Sequence, residues 1–288
     1  CEYNFMNKKY KRVFSINLQP GYRNYTVKDL QDIKGKKKLT QILVNDALEA
    51  SAAEEAGVDL ILAKPDENVP LIRKAAPKTF MTVSVPFIKY SSKEDIVKKA
   101  LELVEHGADS IHCGSWNLNF MKYLNEFKIP FQGHAGLVPR RSTWIGGVRA
   151  FGKNAEEASK LLNDVLDIEE TGAWGVEVEC VPEEILGEIT KQTKLLTLSI
   201  GSGKKSDVQF LFSEDILGCS SIDTPRHAKM YADFNKLNNQ IQKERIKAFK
   251  KFNLEVKKGL FPGKKHSIGV DKKELINFKK LLQDKKDN

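Results

Sequence analysis

The segment Val176-Glu177-Val178-Glu179-Cys180-Val181-Pro182 carries two carboxylates two positions apart. In an extended chain that spacing puts Glu177 and Glu179 on one side and the apolar residues on the other. A carboxylate at a strand's end, close against apolar neighbours, can have its pKa raised and act as a general base. The competing reading is a buried structural carboxylate paired to Arg or Lys. His134, in Gly133-His134-Ala135-Gly136, is a candidate proton donor, a ligand or a hydrogen-bonded core histidine. His112-Cys113 raises metal ligation, yet the chain has no HxxxH or CxxC spacing to accompany it. The stretch from Ser199 through Gly201-Ser202-Gly203 to Asp207 reads as a backbone-amide nest before a helix, suited to a carboxylate or phosphate, or else as a tight turn. Gly201 and Ser202 are its candidate binding residues. Cys113 and Cys180 read as buried small hydrophobes rather than nucleophiles.

These residues need elements to position them. From residue 38 onward, short β-branched runs alternate with longer amphipathic segments. Strands are predicted at 38–44, 58–63, 79–85, 109–113, 131–137, 175–180, 195–200 and 217–221. Helices are predicted at 47–56, 71–76, 93–106, 118–126 and 155–171, with another opened by Pro182. About eight alternations, with nearly all-apolar strands, argue for a (β/α)8 TIM barrel in the α/β class. A doubly wound open sheet would normally show a glycine-rich turn after its first strand, and Val44-Asn45-Asp46-Ala47 is not one. In a barrel, chemistry gathers at the C-terminal strand ends. Here these include Lys64-Pro65-Asp66, Ser84-Val85, His112-Cys113, His134, Glu179 and Gly201-Ser202-Gly203. The expected organisation is an N-terminal extension over 1–37, the barrel over 38–229, and a C-terminal helix and basic tail over 230–288 within the same domain. Both extensions are expected to be helical.

The chain has 288 residues, 41% of them hydrophobic and 30% charged, with a mean hydropathy of -0.41. No stretch approaches the roughly 18 uninterrupted apolar residues of a membrane span. Collagenous and disordered classes do not fit the ordinary Gly, Pro and aromatic content. The net charge of +9 admits nucleic-acid binding, but interleaved acids and lysine runs at both ends favour a solvated surface. Four cysteines without regular spacing fit a reducing, cytoplasmic compartment, and no apolar signal segment is evident. The start at Cys1 leaves processing, trimming or lipidation open.

Taken together, several motifs resemble the ketopantoate hydroxymethyltransferase family of the phosphoenolpyruvate mutase/isocitrate lyase superfamily. The resemblance runs from about Val27 to Ser267. Val27-Lys28-Asp29-Leu30 through Thr40 is similar to the family's opening stretch, and Ala53 to Leu62 to its "ADEAGVDIIL" segment. Gly133 to Pro139 resembles "GHLGLTPQ", followed by the pair Gly146-Gly147, and Val178 to Pro182 is nearly "LECVP". Ile200 to Gly203 with Asp207, Gln209 and Asp215 resembles "GIGAG…DGQ…HD". Gly259 to Ser267 resembles "G-x-FPG-x-x-HS". The resemblance implies a (β/α)8 barrel, a homo-oligomer and a Mg2+-dependent C–C bond formation. There a 2-oxoacid is deprotonated at C3, and the enolate takes a one-carbon unit from methylenetetrahydrofolate. Glu179 falls on the family's general base.

The metal site departs from that pattern. Asp66 matches the family's first aspartate only if one residue is inserted, Ser84 stands for the second, and His112-Cys113-Gly114-Ser115 replaces "KIEGG". The stretch between Asp66 and Thr79 is also shorter. Losing these carboxylates removes the hard-oxygen cage that Mg2+ prefers. The expectation is therefore a diverged hydroxymethyltransferase-like or related C–C bond enzyme acting on a small carboxylate substrate. Glu179 and His134 are its catalytic residues, and Lys64, Asp66, Ser84, His112, Gly201 and Ser202 line the substrate site. Asp66 is the candidate metal ligand, Lys64 a candidate metal-free electrophile, and His112, Asp66 and His134 an alternative set for a softer ion. The alternative function is an inactive barrel serving as a binding or interaction protein; nucleic-acid binding by the basic ends ranks third.

Overall fold

The computed structural model describes residues 10–16, 18–114, 117–219 and 225–284. It opens with an antiparallel hairpin, β1 (Lys11–Phe14) and β2 (Pro20–Arg23), followed by helix α1 (Val27–Ile33). The N-terminal extension is thus a hairpin and a short helix. Eight parallel strands then close a barrel. They are β3 (Leu39–Val44), β4 (Leu60–Ala63), β5 (Phe80–Val85), β6 (Ser110–Cys113), β7 (Phe131–Gly136), β8 (Gly175–Glu179), β9 (Leu196–Ile200) and β10 (Val208–Phe212). Around them stand α2 (Ala47–Glu55), α3 (Val69–Ala75), α4 (Lys93–Glu105), α5 (Leu118–Glu126), α6 (Ala155–Glu170), α7 (Glu183–Gln192) and the short α8 (Ser213–Leu217). The expected TIM barrel is therefore present.

One strand differs from the expectation. The barrel closes through Val208–Phe212, which pairs with both β3 and β9, whereas Leu217 ends α8 and residues 220–221 lie outside the described residues. The Gly201-Ser202-Gly203 turn accordingly precedes a strand and not a helix. Val208-Gln209-Phe210-Leu211-Phe212 buries Val208 and Phe210 while Gln209 is exposed. That alternation is a strand signal, masked by the polar turn in front of it.

Helix faces cover the barrel as their sequences require. Ser92 caps α4 by accepting the Asp95 amide, and Ile96, Val97, Ala100 and Leu103 face inward. Asn154 caps α6, which buries Leu161, Val165 and Ile168. Each buried Ile, Val or Leu among them contributes roughly 1.5–3 kcal/mol by leaving water. At the N-terminal end of the barrel, fully buried Leu30 of α1 packs with Leu39, Leu60, Phe80, Trp174, Leu196, Leu198 and Val208, so α1 plugs the bottom and leaves chemistry to the other end.

The chain divides into two compact units, residues 1–232 and 233–288. The second holds α9 (Phe234–Lys257) and α10 (Lys272–Asp284), neither of which buries any residue. Among the described residues no helix is long and apolar enough to cross a membrane.

Candidate active site

Strand register assembles the site. Ser84 on β5 pairs with His112 on β6, and His134 on β7 pairs with Glu177 on β8. On β8, Val176 and Val178 are buried outward-facing residues, and Glu177 and Glu179 point into the barrel mouth, as the alternation predicts. Glycines on β7 allow the close approach. A Cβ at Gly133 would stand 2.6 Å from Ile168 of α6, and one at Gly136, whose φ is +82°, would stand 2.5 Å from the Glu179 carbonyl. Cys180 itself has φ +51°, a strained conformation for a residue with a Cβ, and it turns the chain sharply after Glu179.

These side chains form one connected group. Ser84 Oγ lies 3.0 Å from His112 Nδ1, and His134 Nε2 lies 3.0 Å from Glu179 Oε2. His112 Nε2 stands 3.2 Å and His134 Nε2 3.6 Å from the two carboxylate oxygens of Glu177. His112 Nε2 and Glu177 Oε2 form a buried ion pair with no further hydrogen-bond partner on either atom, and His134 Nδ1 is buried without one. His112, His134 and Glu177 are 5%, 6% and 4% exposed. Burial opposes charge on Glu177, but His112 and His134 outweigh it and hold its pKa below the usual carboxylate value. Burial likewise opposes the charge on His134, yet Glu177 and the hydrogen bond to Glu179 raise its pKa. Burial pushes the Cys113 thiol well up and the Cys180 thiol up, which fits inert thiols.

The group opens into a cavity of about 630 Å³. Its apolar wall is Leu43, Leu62, Phe210 and Phe212, and its cationic rim is Lys64, Lys89 and Arg140. Lys64 Nζ donates to Asn45 Oδ1 at 2.7 Å. Six of the expected site residues therefore meet here: Glu179, His134, Lys64, Asp66, Ser84 and His112. Gly201 and Ser202 stand apart from the cavity lining. Ser202 Oγ bridges Val178 O and the Val181 amide, both at 2.9 Å, and ties β8 to the turn after β9.

The chain is similar to known proteins over most of its length. The family model described as "Ketopantoate hydroxymethyltransferase" matches residues 67–264. The 3-methyl-2-oxobutanoate hydroxymethyltransferase of Kosmotoga olearia is 33% identical, covering 82% of this chain and 95% of its own. The chain belongs to the ketopantoate hydroxymethyltransferase family. That of Pyrococcus furiosus is 32% identical over 88% of this chain and 95% of its own. Among solved structures, a protein described as a phosphonomutase from Burkholderia cenocepacia J2315 aligns with a TM-score of 0.51 at 11% identity, covering 79% of this chain and 100% of the other. A 2,3-dimethylmalate lyase, described as a PEP mutase/isocitrate lyase superfamily member, aligns with a TM-score of 0.47 at 10% identity, over 90% and 96% of the two chains. At 11% identity the likeness to the Burkholderia protein is one of fold alone.

The magnesium implied for this family takes hard oxygen ligands in near-octahedral array. At two of the family pattern's carboxylate positions this chain has Ser84 and Gly114, which do not supply that array. Asp46 is occupied capping α2 through the Leu48 and Glu49 amides, and Asp66 accepts the Asn68 amide at 2.9 Å. Ser84 is engaged with His112, and Gly114 has no side chain to offer. Among the described residues, the group with metal-ligating proximity is His112, His134 and Glu177, whose ligand atoms lie within 4.8 Å of one another. Glu177, absent from the expected set, takes the place that Asp66 was given beside the two histidines. The alternation puts Glu177 on the same side as Glu179; that this side faces the barrel mouth, and that its partners lie more than 40 positions away, follows only from the strand register.

Proposed function

We propose that the chain is an enzyme of the hydroxymethyltransferase type, which deprotonates a small 2-oxoacid at C3 and passes a one-carbon unit to the resulting enolate. The Glu179–His134 pair carries this reading: it is held at 3.0 Å at the floor of a cavity with an apolar wall and a cationic rim. Glu179 is the more accessible of the two glutamates, with 18% of its side chain exposed against 6% for Glu177. It accepts the C3 proton, while His134 fixes its orientation and offsets its charge. Lys64, Lys89 and Arg140 attract the substrate's carboxylate, and Leu43, Leu62, Phe210 and Phe212 receive its alkyl group. Methylenetetrahydrofolate is the proposed one-carbon donor. The three described cysteines are free, which supports a reducing, cytoplasmic setting, and we expect a homo-oligomer.

The test is exchange of the C3 proton of 2-oxoisovalerate into D2O, followed by proton NMR. Wild-type protein should exchange it, and Glu179→Gln should slow exchange by at least about 100-fold. Full exchange by Glu179→Gln would sink the base assignment. A second reading, a barrel kept for binding alone, is favoured by Ser84 and Gly114 standing where the family pattern has carboxylates. No exchange of any 2-oxoacid by wild-type protein, with or without added divalent ions, would favour it.

A further inference from the structure

We infer that His112, His134 and Glu177 form a site for a first-row transition ion of borderline softness, with Zn2+ as its representative, in place of the hard Mg2+ site whose residues this chain lacks. Two imidazoles and one carboxylate are a donor set that such ions take readily and Mg2+ does not.

Three observations carry the inference. The first is spacing. Ligand atoms around an ion at ~2.1 Å stand roughly 3.0–3.4 Å apart, from octahedral to tetrahedral. Here His112 Nε2 and His134 Nε2 lie 3.2 and 3.6 Å from different oxygens of Glu177, and the three ligand atoms lie within 4.8 Å of one another, so the side chains would draw together to seat an ion among them. The second is unmet demand. His112 Nε2 and Glu177 Oε2 are buried 3.2 Å apart as an ion pair, and neither has any hydrogen-bond partner beyond that contact. An ion between them satisfies both at once. The third is orientation from behind. Ser84 Oγ holds His112 Nδ1 at 3.0 Å, which fixes the ring with Nε2 facing Glu177. A partner on the far nitrogen is the usual support of a ligating histidine. With three protein ligands, coordination positions remain for substrate oxygens from the cavity. Ligation by His134 Nε2 would replace its 3.0 Å contact with Glu179 Oε2, and Glu179 would then face the ion from the mouth with its carboxylate released to take a proton. Metal binding stands on this geometry alone; a role in turnover rests on the function proposed above.

The experiment strips the purified full chain with a chelator and titrates it with Zn2+, Co2+ and Mg2+, using calorimetry and the visible absorption of Co2+. We expect one Zn2+ per chain and a Co2+ spectrum of a nitrogen- and oxygen-ligated site. Mg2+ should bind at least ~1,000-fold more weakly, given the softer donors. Glu177→Gln and His112→Asn should each weaken Zn2+ binding by at least about 100-fold, and Ser84→Ala, which leaves all ligands in place, by about 10- to 100-fold. Circular dichroism identifies any variant that has lost the fold, and Ser84→Ala then decides. The inference is overturned if wild-type protein takes up no Zn2+ or Co2+, if Mg2+ binds as tightly, or if the folded variants bind like wild type. Zn2+ binding without 2-oxoacid exchange would leave this inference standing and remove the proposed function. Exchange by protein that takes up no transition ion would do the reverse.

Discussion

Asp109 shows how much one carboxylate can hold. Its oxygens meet Arg23 Nε at 2.7 Å and Arg73 Nη2 at 2.8 Å, and accept the Met81 amide at 2.9 Å. One residue thereby joins β2, α3 and the entry to β5. Burial is severe enough to lower the Arg73 pKa to about 10, even beside Asp109. Asp109→Asn keeps the shape but leaves two guanidinium groups facing a neutral amide. We expect a loss of about 3–5 kcal/mol, read as a lower urea midpoint with unchanged slope. A midpoint equal to wild type would show that the ion group is not structural. Such residues also mark the limit of sequence reading. Glu179 and His134 were legible because each sits in a local pattern, a strand end and a glycine-flanked histidine. Asp109 and Glu177 depend on partners dozens of positions away, and composition around them carries no trace of those partners.

At the scale of elements, most boundaries were legible to within two residues, because the barrel strands are short, largely apolar runs buried on both faces and helix caps such as Ser92 and Asn154 are local chemistry. The final strand was not, since its approach is the polar stretch 201–207. Asp207 explains how that stretch is held. Its carboxylate accepts the Thr197 amide at 2.9 Å and, at 3.0 Å each, the Thr197 hydroxyl, the Lys34 ammonium and the Gly35 amide. It thus fastens the entry to β10 to β9 and to the end of α1. Burial alone would raise its pKa, but the Thr197 amide and Lys34 outweigh burial and hold it below the usual value. A folded-state pKa below the unfolded one of about 3.9 contributes stability that is present above that value and lost as pH falls through the folded pKa. Asp207→Asn should therefore lower stability at pH 7 by about 1–3 kcal/mol, and the gap from wild type should narrow below about pH 4. Urea unfolding at pH 7, 5 and 3.5 measures it; a gap that stays constant would show that the carboxylate's charge plays no part.

The net charge acquires a location only at the scale of the whole molecule. Residues 233–288 contain sixteen Lys and Arg against seven Asp and Glu, so this unit holds the entire +9 and residues 1–232 are neutral overall. The same unit exposes Leu237, Ile241, Phe249 and Phe252 on α9 and Leu275, Phe278 and Leu281 on α10. Apolar exposure on this scale is unusual for a surface that faces only water. We take its occupant to be the same unit of a second copy, consistent with the homo-oligomer proposed above. Like charge opposes that pairing at low salt, whereas apolar burial does not depend on screening. Association should accordingly strengthen as salt rises from about 50 to 500 mM, the reverse of binding to a polyanion, whose affinity falls steeply over such a range. Light scattering after size exclusion should give a multiple of the 32.5 kDa chain mass, with the oligomer fraction growing with salt. Phe249→Glu together with Phe252→Glu should return the protein to a monomer while the barrel's thermal unfolding stays in place. A 32.5 kDa monomer at every salt concentration, or association that weakens with salt, would rule out apolar self-pairing. The second outcome would turn attention to an anionic partner for this unit.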